Sequence, residues 1–461
     1  MKKFLKTARS KALLAVAALT TLSVAYTRMA NAAPIVSDET IREFKALTTI
    51  TKLKNGMPVI LRQVPGSDIA HVMVTFDQGM KDLPPGRKAL SRWLLATMPR
   101  AAQNFPRELV YATVERYSLV VNCNPAVEYG SCALETINDH WDQGFNLLAA
   151  IVKSPTLNDD DAGLEKQRLE ADLKDTPEDP GSYINELVNK IYYPRNHPYR
   201  STFDEALAEL TKLKPKDLKA LHKQILNASQ MHIVVVSSLP NDKVLADLEK
   251  AFGAVATAKF KPTVIKHPPY DSKNIYKFEA RQTPTAWILA KFDAPGALSK
   301  DMVASMILFD ILDHELGDEV RTKRSLSYSV YAHSLLYTVG IGIMGASTSK
   351  PEQALEAIRT VVDRIKAKTY TTEELDEFKT SFATHYFLQQ ETHASLASAL
   401  SRHFHFYRSV DPMYELPRLV EKVTPQDIKR VAGQVLTKMR VAVIYGRDKF
   451  KDNWAKQITS F

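Results

Sequence analysis

The feature that most constrains the fold of this chain is an internal repeat. The segment KPKDLK at 214–219 precedes a hydrophobic run, MHIVVV, at 231–236, and TPQDIK at 424–429 precedes MRVAVI at 439–444. The copies lie 210 residues apart in the first part and 208 apart in the second. In each copy a proline at the first helical position predicts a helix, and the β-branched run predicts a buried strand. The repeat therefore predicts two halves of similar fold.

Length and local patterns agree with two globular halves. A chain of 461 residues exceeds the ~250–300 residues at which a single hydrophobic core stops growing. Strand patterns alternate with long helical patterns, which predicts sheets covered by helices. We place an N-terminal domain at 33–255, an extended linker at 256–272 and a C-terminal domain at 273–461. The helical patterns cover 88–99, 134–152, 159–174, 300–316, 352–367 and 372–406.

The first 32 residues have the pattern of a secretory signal peptide. A lysine-rich head precedes an apolar stretch at 12–25 that is too short to span a membrane, and small residues follow at 30–32. An organellar transit peptide and a retained anchor are alternatives, but the continuous apolar block favours a signal peptide. We therefore expect a periplasmic or secreted protein, cleaved after Ala32.

Removal of this leader changes the charge of the chain. Residues 1–32 hold six Lys or Arg and no acidic residue, so the net charge falls from +9 to +3. A nearly balanced charge argues against nucleic acid as a partner. No later stretch approaches the ~20 apolar residues that a membrane span needs. We expect neither a nucleic-acid partner nor a membrane span after the leader is removed.

The chain has two cysteines, Cys123 and Cys132, both after the leader. The residues around them predict two strands joined by a turn containing Pro125 and Gly130. A hairpin could bring the two side chains within bonding distance, and cysteines of exported proteins meet an environment in which disulfides form. The sequence therefore favours a disulfide, with two buried free thiols as the alternative.

Residues 320–332 read VRTKRSLSYSVYA and place Arg321 and Tyr328 seven positions apart. This segment resembles the Arg/Tyr segment in the C-terminal half of insulinase-family (pitrilysin-type) zinc peptidases. Those enzymes carry an inverted zinc motif, His-x-x-Glu-His, in the N-terminal half. The resemblance implies an α+β fold of two homologous α/β halves, each a mostly antiparallel sheet covered by helices.

The zinc motif is absent. No His-x-x-Glu-His occurs among the 12 histidines, and the segment at 86–98 that resembles the family's zinc-binding helix has other residues in the key places. Where the family has His, Glu and His, this chain has Trp93, Ala96 and Thr97. None of these side chains ligates zinc usefully or acts as a base. The resemblance thus implies a degenerate zinc site, or simply core packing of an amphipathic helix.

Other candidate metal ligands are isolated. The family's third ligand, a Glu, would fall near Glu170 and Asp172, but a lone carboxylate cannot hold zinc. His403 and His405 form the only close histidine pair, and on a helix residues two apart face opposite sides. We expect no metal on this chain.

The Arg/Tyr segment is retained. In the family these residues reach the zinc site across an interface and contact the substrate backbone, where a phenol and a guanidinium can stabilise an oxyanion. The resemblance implies substrate binding by Arg321 and Tyr328. The alternative is structural, with Arg321 capping a helix and Tyr328 packing in a sheet.

Together these features predict a non-catalytic subunit of a heteromeric zinc peptidase. Its partner would supply His-x-x-Glu-His and the zinc, and this chain would bind the peptide substrate. One alternative is a zinc-free structural or peptide-binding scaffold of the same fold. A stand-alone hydrolase is another, although no Gly-x-Ser-x-Gly nucleophile motif is present.

Overall fold

A computed structural model describes residues 34–269 and 275–446. The predicted leader and parts of the predicted linker and C-terminal domain lie outside these ranges. The strands are β1 Thr48–Lys52, β2 Pro58–Gln63, β3 Ile69–Phe76, β4 Val120–Pro125, β5 Gly130–Ile137, β6 Met231–Ser237, β7 Ile275–Ala280, β8 Ala286–Ala294, β9 Ser329–Leu335, β10 Gly340–Thr348 and β11 Arg440–Tyr445.

Fifteen α-helices accompany these strands in the described ranges. They are α1 Asp38–Ala46, α2 Ala89–Thr97, α3 Arg107–Tyr117, α4 Trp141–Lys153, α5 Asp159–Asp175, α6 Pro180–Tyr192, α7 Phe203–Leu210, α8 Pro215–Ile225, α9 Asn241–Phe252, α10 Met302–Leu316, α11 Pro351–Ala367, α12 Thr372–Leu388, α13 His393–Tyr407, α14 Asp411–Glu421 and α15 Pro425–Val435. Within those ranges no helix is both long and apolar enough to cross a membrane.

The two halves have the same sheet topology. The N-terminal sheet has the order β1-β2-β6-β3-β5-β4, and the C-terminal sheet has the order β7-β11-β8-β10-β9. Without β1, the two orders correspond strand for strand. In each sheet one pair is parallel, β2 with β6 and β7 with β11, and the other neighbours are antiparallel. The predicted fold of two similar, mostly antiparallel halves is confirmed.

Two sequence-based helix predictions are wrong in part. The pattern at 134–152 begins inside β5, and the helix there starts only at Trp141. The pattern at 372–406 is two helices, because Thr392 ends the run by capping α13, its side chain accepting from the Ser395 N–H at 3.1 Å. The apolar pattern continues across Thr392, so it does not reveal that one helix ends and another begins there.

Each half gives one helix to the other. Helix α6, which belongs to the N-terminal half by sequence, packs on the C-terminal sheet, where Ile184 and Leu187 lie against Leu289 of β8 and Ile444 of β11. Its N-terminal Gly181 lies against the Trp287 ring of the same sheet, so a side chain there would crowd the ring.

The C-terminal half returns an equivalent helix. Leu400 and Phe404 of α13 pack on the N-terminal sheet against Ile60 of β2 and Val234 of β6. These two helices occupy corresponding places in the repeat, one before α7 and one before α14. The halves are therefore joined by a reciprocal exchange of helices.

The segment between the halves is fixed to the N-terminal half. Residues 256–269 contain no helix or strand. The Ala258 N–H donates to the side chain of Asn227 at 2.8 Å, and the Thr263 N–H donates to Asp82 at 3.0 Å. Hydrogen bonds to rigid elements thus hold this extended stretch in place, while the domain limits at 255 and 273 stay predictions.

Candidate functional site

Helix α2 carries the three residues predicted at the degenerate zinc site. It packs against α5 and α8 in the core of the N-terminal half. Trp93 and Thr97 lie on one side of α2 and are 1% exposed, whereas Ala96 is partly exposed. The helix therefore buries two of the three side chains that we predicted at zinc-site positions.

The polar atoms of this site are already paired. The Trp93 indole N–H donates to the Ala162 carbonyl of α5 at 2.8 Å, and the Thr97 hydroxyl donates to the Trp93 carbonyl at 2.7 Å. The indole nitrogen has no lone pair to offer a cation. The Lys166 ammonium lies 5.4 Å from the Trp93 ring centroid and would repel a metal ion. These residues do not fit zinc.

The remaining candidate ligands do not converge. Glu170 and Asp172 lie on α5, and the buried Glu165 of that helix forms ion pairs with Arg100 at 2.8 Å and Arg168 at 2.9 Å. Across 34–269 and 275–446, no group of three or more His, Cys, Asp and Glu side chains is arranged to hold a metal ion.

The segment with Arg321 and Tyr328 lies in the C-terminal half. Helix α10 continues into a π-helical stretch, Gly317–Lys323, that carries Arg321, and Tyr328 directly precedes β9. Tyr328 is 92% exposed, and Arg321 is exposed as well. Wide helical turns of this type are often found at functional sites.

The backbone on either side of Tyr328 is held firmly. Leu326 is buried, its carbonyl accepts from the Thr348 hydroxyl at 2.5 Å, and its N–H donates to the Val320 carbonyl at 2.8 Å. The buried Ser327 hydroxyl bonds the Ser347 carbonyl of β10 at 2.7 Å. An exposed tyrosine is thus presented by a rigid support.

An ion-pair network supports the π-helical stretch. Glu319, which is 7% exposed, pairs with Arg324 at 2.7 Å and with Arg364 of α11 at 3.4 Å. Burial alone would raise the pKa of Glu319, but the hydrogen bonds from these two arginines outweigh it and lower the pKa. Because Glu319 pairs with Arg324 and not with Arg321, it leaves the Arg321 side chain available for contacts with another molecule.

Cys123 and Cys132 form a disulfide in the hairpin of β4 and β5. The two residues are direct cross-strand partners. The turn between the strands is 126–129, so Pro125 and Gly130 end the strands rather than form the turn. The disulfide fastens the edge of the sheet beside α2, against which β4 packs.

A buried polar cluster at the junction of the halves went unnoticed in the sequence. Asp77, just after β3, accepts from His405 of α13 at 2.8 Å and lies 3.2 Å from His232 of β6. Arg408, at the end of α13, pairs with the other carboxylate oxygen. Burial alone would raise the pKa of Asp77, but His232, His405 and Arg408 together hold it well below its usual range.

This cluster contains a Ser–His–Asp chain. The Ser401 hydroxyl lies 2.9 Å from Nε2 of His232, whose Nδ1 faces Asp77. Ser401 is 1% exposed and also bonds Thr75 at 2.8 Å. A nucleophile must reach its substrate, but Ser401 is buried by packing. The hydrogen-bonded series Ser401–His232–Asp77 therefore joins the two halves and is not a catalytic triad.

The C-terminal half has an equivalent junction. Asp293 of β8, the counterpart of β3, accepts from the Tyr192 hydroxyl of α6 at 2.8 Å. Tyr192 lies on the exchanged helix as His405 does in the other half. His403 has no such role, since it bonds the Ala399 carbonyl of its own helix, and burial lowers its pKa to about 4.

Comparison with known proteins agrees with this geometry. Residues 212–382 match the family model described as the Peptidase M16 inactive domain. The uncharacterized zinc protease YmxG of Bacillus subtilis is 20% identical over 390 residues, which cover 82% of this chain and 93% of the relative. The mitochondrial-processing peptidase subunit beta of Blastocladiella emersonii is 21% identical over 421 residues, or 86% of this chain and 88% of that protein.

Solved structures share the fold at low sequence identity. A protease from Helicobacter pylori matches with a TM-score of 0.77 and 18% identity, covering 86% of this chain and 99% of that one. A peptidase M16 inactive domain from Pseudomonas fluorescens matches with a TM-score of 0.77 and 17% identity, covering 87% and 98%. The periplasmic protease PqqL of Escherichia coli matches with a TM-score of 0.71 and 15% identity, covering 92% of this chain and 49% of that one. The predicted resemblance is confirmed.

Proposed function

We propose that this chain, which contains a Peptidase M16 inactive domain and is homologous to zinc proteases of that family, is a zinc-free subunit that binds peptide substrate. A partner chain of the same family would carry His-x-x-Glu-His and cleave the peptide. In this proposal the C-terminal half keeps a peptide-binding segment, and α2 of the N-terminal half serves only as core.

The proposal rests mainly on the high exposure of Tyr328, whose neighbours in the backbone are held by hydrogen bonds. A tyrosine that is 92% exposed on a rigid support is unusual for a purely structural residue, because its ring gains nothing from burial. No hydrogen bond or ion pair joins the side chain of Arg321 to another residue of the described ranges, and that side chain is exposed. Both groups are free to contact a peptide.

A requirement for a partner follows from the chemistry of α2. The donor set at Trp93 and Thr97 does not fit zinc, so hydrolysis by the metal route needs a second chain. One of the relatives is named as a subunit of a processing peptidase, which supports a role in an assembly. Export to the periplasm is part of this proposal, and it is supported by the leader pattern at 1–32 and by the disulfide.

Peptide binding by the purified chain tests the proposal directly. The chain lacking residues 1–32 is titrated into a fluorescein-labelled peptide mixture, and anisotropy is measured. Arg321→Ala with Tyr328→Phe removes a guanidinium and a phenol, and we expect affinity to fall by about tenfold to a hundredfold. The control is Arg42→Ala with Tyr111→Phe, which removes the same groups from exposed positions on α1 and α3 and should leave affinity unchanged.

A second assay tests the assembly. Chains that copurify with the protein are identified, and any that carries His-x-x-Glu-His is recombined with it for peptide cleavage. The double variant at 321 and 328 should assemble normally but reduce cleavage. If cleavage and peptide affinity both stay at the level of the unaltered protein, the substrate-binding role is refuted and the scaffold alternative is favoured.

A further inference from the structure

A cavity of about 340 Å³ lies between α2, α5 and α7 of the N-terminal half and α6, the helix that packs on the C-terminal sheet. Its polar wall is formed by Arg92 of α2, Asp172 and Thr176 at the end of α5, and Ser182 and Asn185 of α6. The rest of the wall consists of leucine, alanine and phenylalanine side chains. This volume falls at the lower end of the ~300–1,000 Å³ of small-molecule sites, and the mixture of apolar wall and a few polar groups is typical of them.

Arg92 is the most informative group in this wall. It is partly buried, and burial lowers its pKa while the charge of Glu186 offsets part of that effect. Glu186 is itself occupied by Lys190 at 3.0 Å and by the Phe203 N–H at 2.9 Å. Within the described ranges no hydrogen bond or ion pair satisfies the guanidinium of Arg92. Its nitrogens are not among the buried polar atoms that lack a partner, so the guanidinium opens to the cavity and to solvent and is available to an anionic group there.

The other polar groups narrow the choice of ligand. Asp172 is exposed and adds a carboxylate that makes no ion pair within the described ranges, so the wall of the cavity carries one charge of each sign. The Asn185 amide nitrogen donates to the Gly181 carbonyl at 2.9 Å, which leaves its amide oxygen as an acceptor. The Ser182 N–H is taken by Asp179 at 2.7 Å, whereas the Ser182 hydroxyl can donate into the cavity.

We infer that this cavity binds a free α-amino acid with an apolar side chain. The guanidinium of Arg92 offers a planar fork to the carboxylate, and Asp172 faces the ammonium group. The leucine and phenylalanine wall accepts the aliphatic or aromatic side chain. This site is separate from Arg321 and Tyr328 and does not depend on the proposed function.

The test is calorimetric titration of the chain lacking residues 1–32 with L-leucine and L-phenylalanine. Leucinamide keeps the ammonium but lacks the carboxylate, and N-acetylleucine keeps the carboxylate but lacks the ammonium. We expect an amino acid to bind and each analogue to bind about tenfold or more weakly, because each loses a charge-assisted contact. The inference is overturned if neither amino acid binds at millimolar concentration, or if leucinamide binds as well as leucine.

A substitution at Arg92 tests whether the amino acid binds in this cavity. Arg92→Gln removes the charge, and we expect it to weaken leucine binding by about tenfold or more. Arg116→Gln, on the exposed side of α3, is the matched control and should bind as the unaltered protein does. The guanidinium of Arg92 makes no hydrogen bond or ion pair within the described ranges, so we expect both variants to fold, which the unfolding temperature without ligand checks. Equal leucine affinity in Arg92→Gln and the control would assign the binding to another site and refute the inference.

Discussion

The junction at Asp77 gives the sharpest prediction from this structure. Replacement of Asp77 by Ala leaves His405 and His232 without their carboxylate in a region that is almost fully buried. The loss of one member of a buried charged pair costs about 3–5 kcal/mol. Arg408 adds little, since its side chain is 54% exposed and water can replace the carboxylate. We expect the free energy of unfolding to fall by about 3–5 kcal/mol.

The assay is urea unfolding at pH 7, followed by circular dichroism and tryptophan fluorescence. The control is Asp142→Ala, which removes a carboxylate that is 66% exposed and pairs with Lys243 at 2.7 Å. That change should cost about 0–1 kcal/mol. The reasoning is refuted if Asp77→Ala destabilises the protein no more than the control does.

The same residue predicts a dependence on pH. The folded pKa of Asp77 lies well below its usual value, and the unfolded value is about 3.9. The contribution of Asp77 to stability is therefore fully present above the unfolded pKa and is lost as the pH falls through the folded pKa. The difference in stability between the unaltered protein and Asp77→Ala should shrink below about pH 4, and a difference that grows with acidity would contradict the assignment.

Three further outcomes follow from the described contacts. Trp93→Ala should cost about 3–5 kcal/mol of unfolding free energy, and zinc content measured by mass spectrometry should not change; a gain or loss of zinc would contradict the packing role of Trp93. Replacement of Cys123 and Cys132 by Ser should cost about 2–3 kcal/mol in urea unfolding, whereas an unchanged midpoint would show that the disulfide adds nothing. Ser327→Ala should weaken peptide binding through its loss of support for Tyr328 but leave the unfolding temperature within a few degrees, and a peptide affinity equal to that of the unaltered protein would exclude a positioning role.

The sequence predicted the architecture because the architecture is repeated. A proline-started helix followed by a β-branched strand occurs twice, and the strand order of the two sheets follows the same repeat. The unsuitability of Trp93 as a zinc ligand could also be read from the sequence, because an indole has no lone pair to offer whatever its surroundings, while the assignment of positions 93, 96 and 97 to a degenerate zinc site stays a prediction. Local residue chemistry was sufficient in both cases.

The junction of the halves could not be predicted in this way. Asp77 and His405 are 328 residues apart, and neither has an unusual neighbourhood in the sequence. The apolar face of α13 predicts that the helix packs on something but does not say which sheet it covers. The cavity beside Arg92 was missed for a related reason, because α2 meets the consecutive helices α5, α6 and α7 only in the folded chain.

The reciprocal exchange of α6 and α13 also affects how the chain can fold during synthesis. The sheet face that contains Ile60 and Val234 is covered by α13, which leaves the ribosome only after most of the C-terminal half. Until then the N-terminal half exposes an apolar surface that would favour aggregation or binding by chaperones. A fragment that ends before the linker should therefore be poorly soluble by itself, and the two halves should reach their stable state together as one cooperative unit.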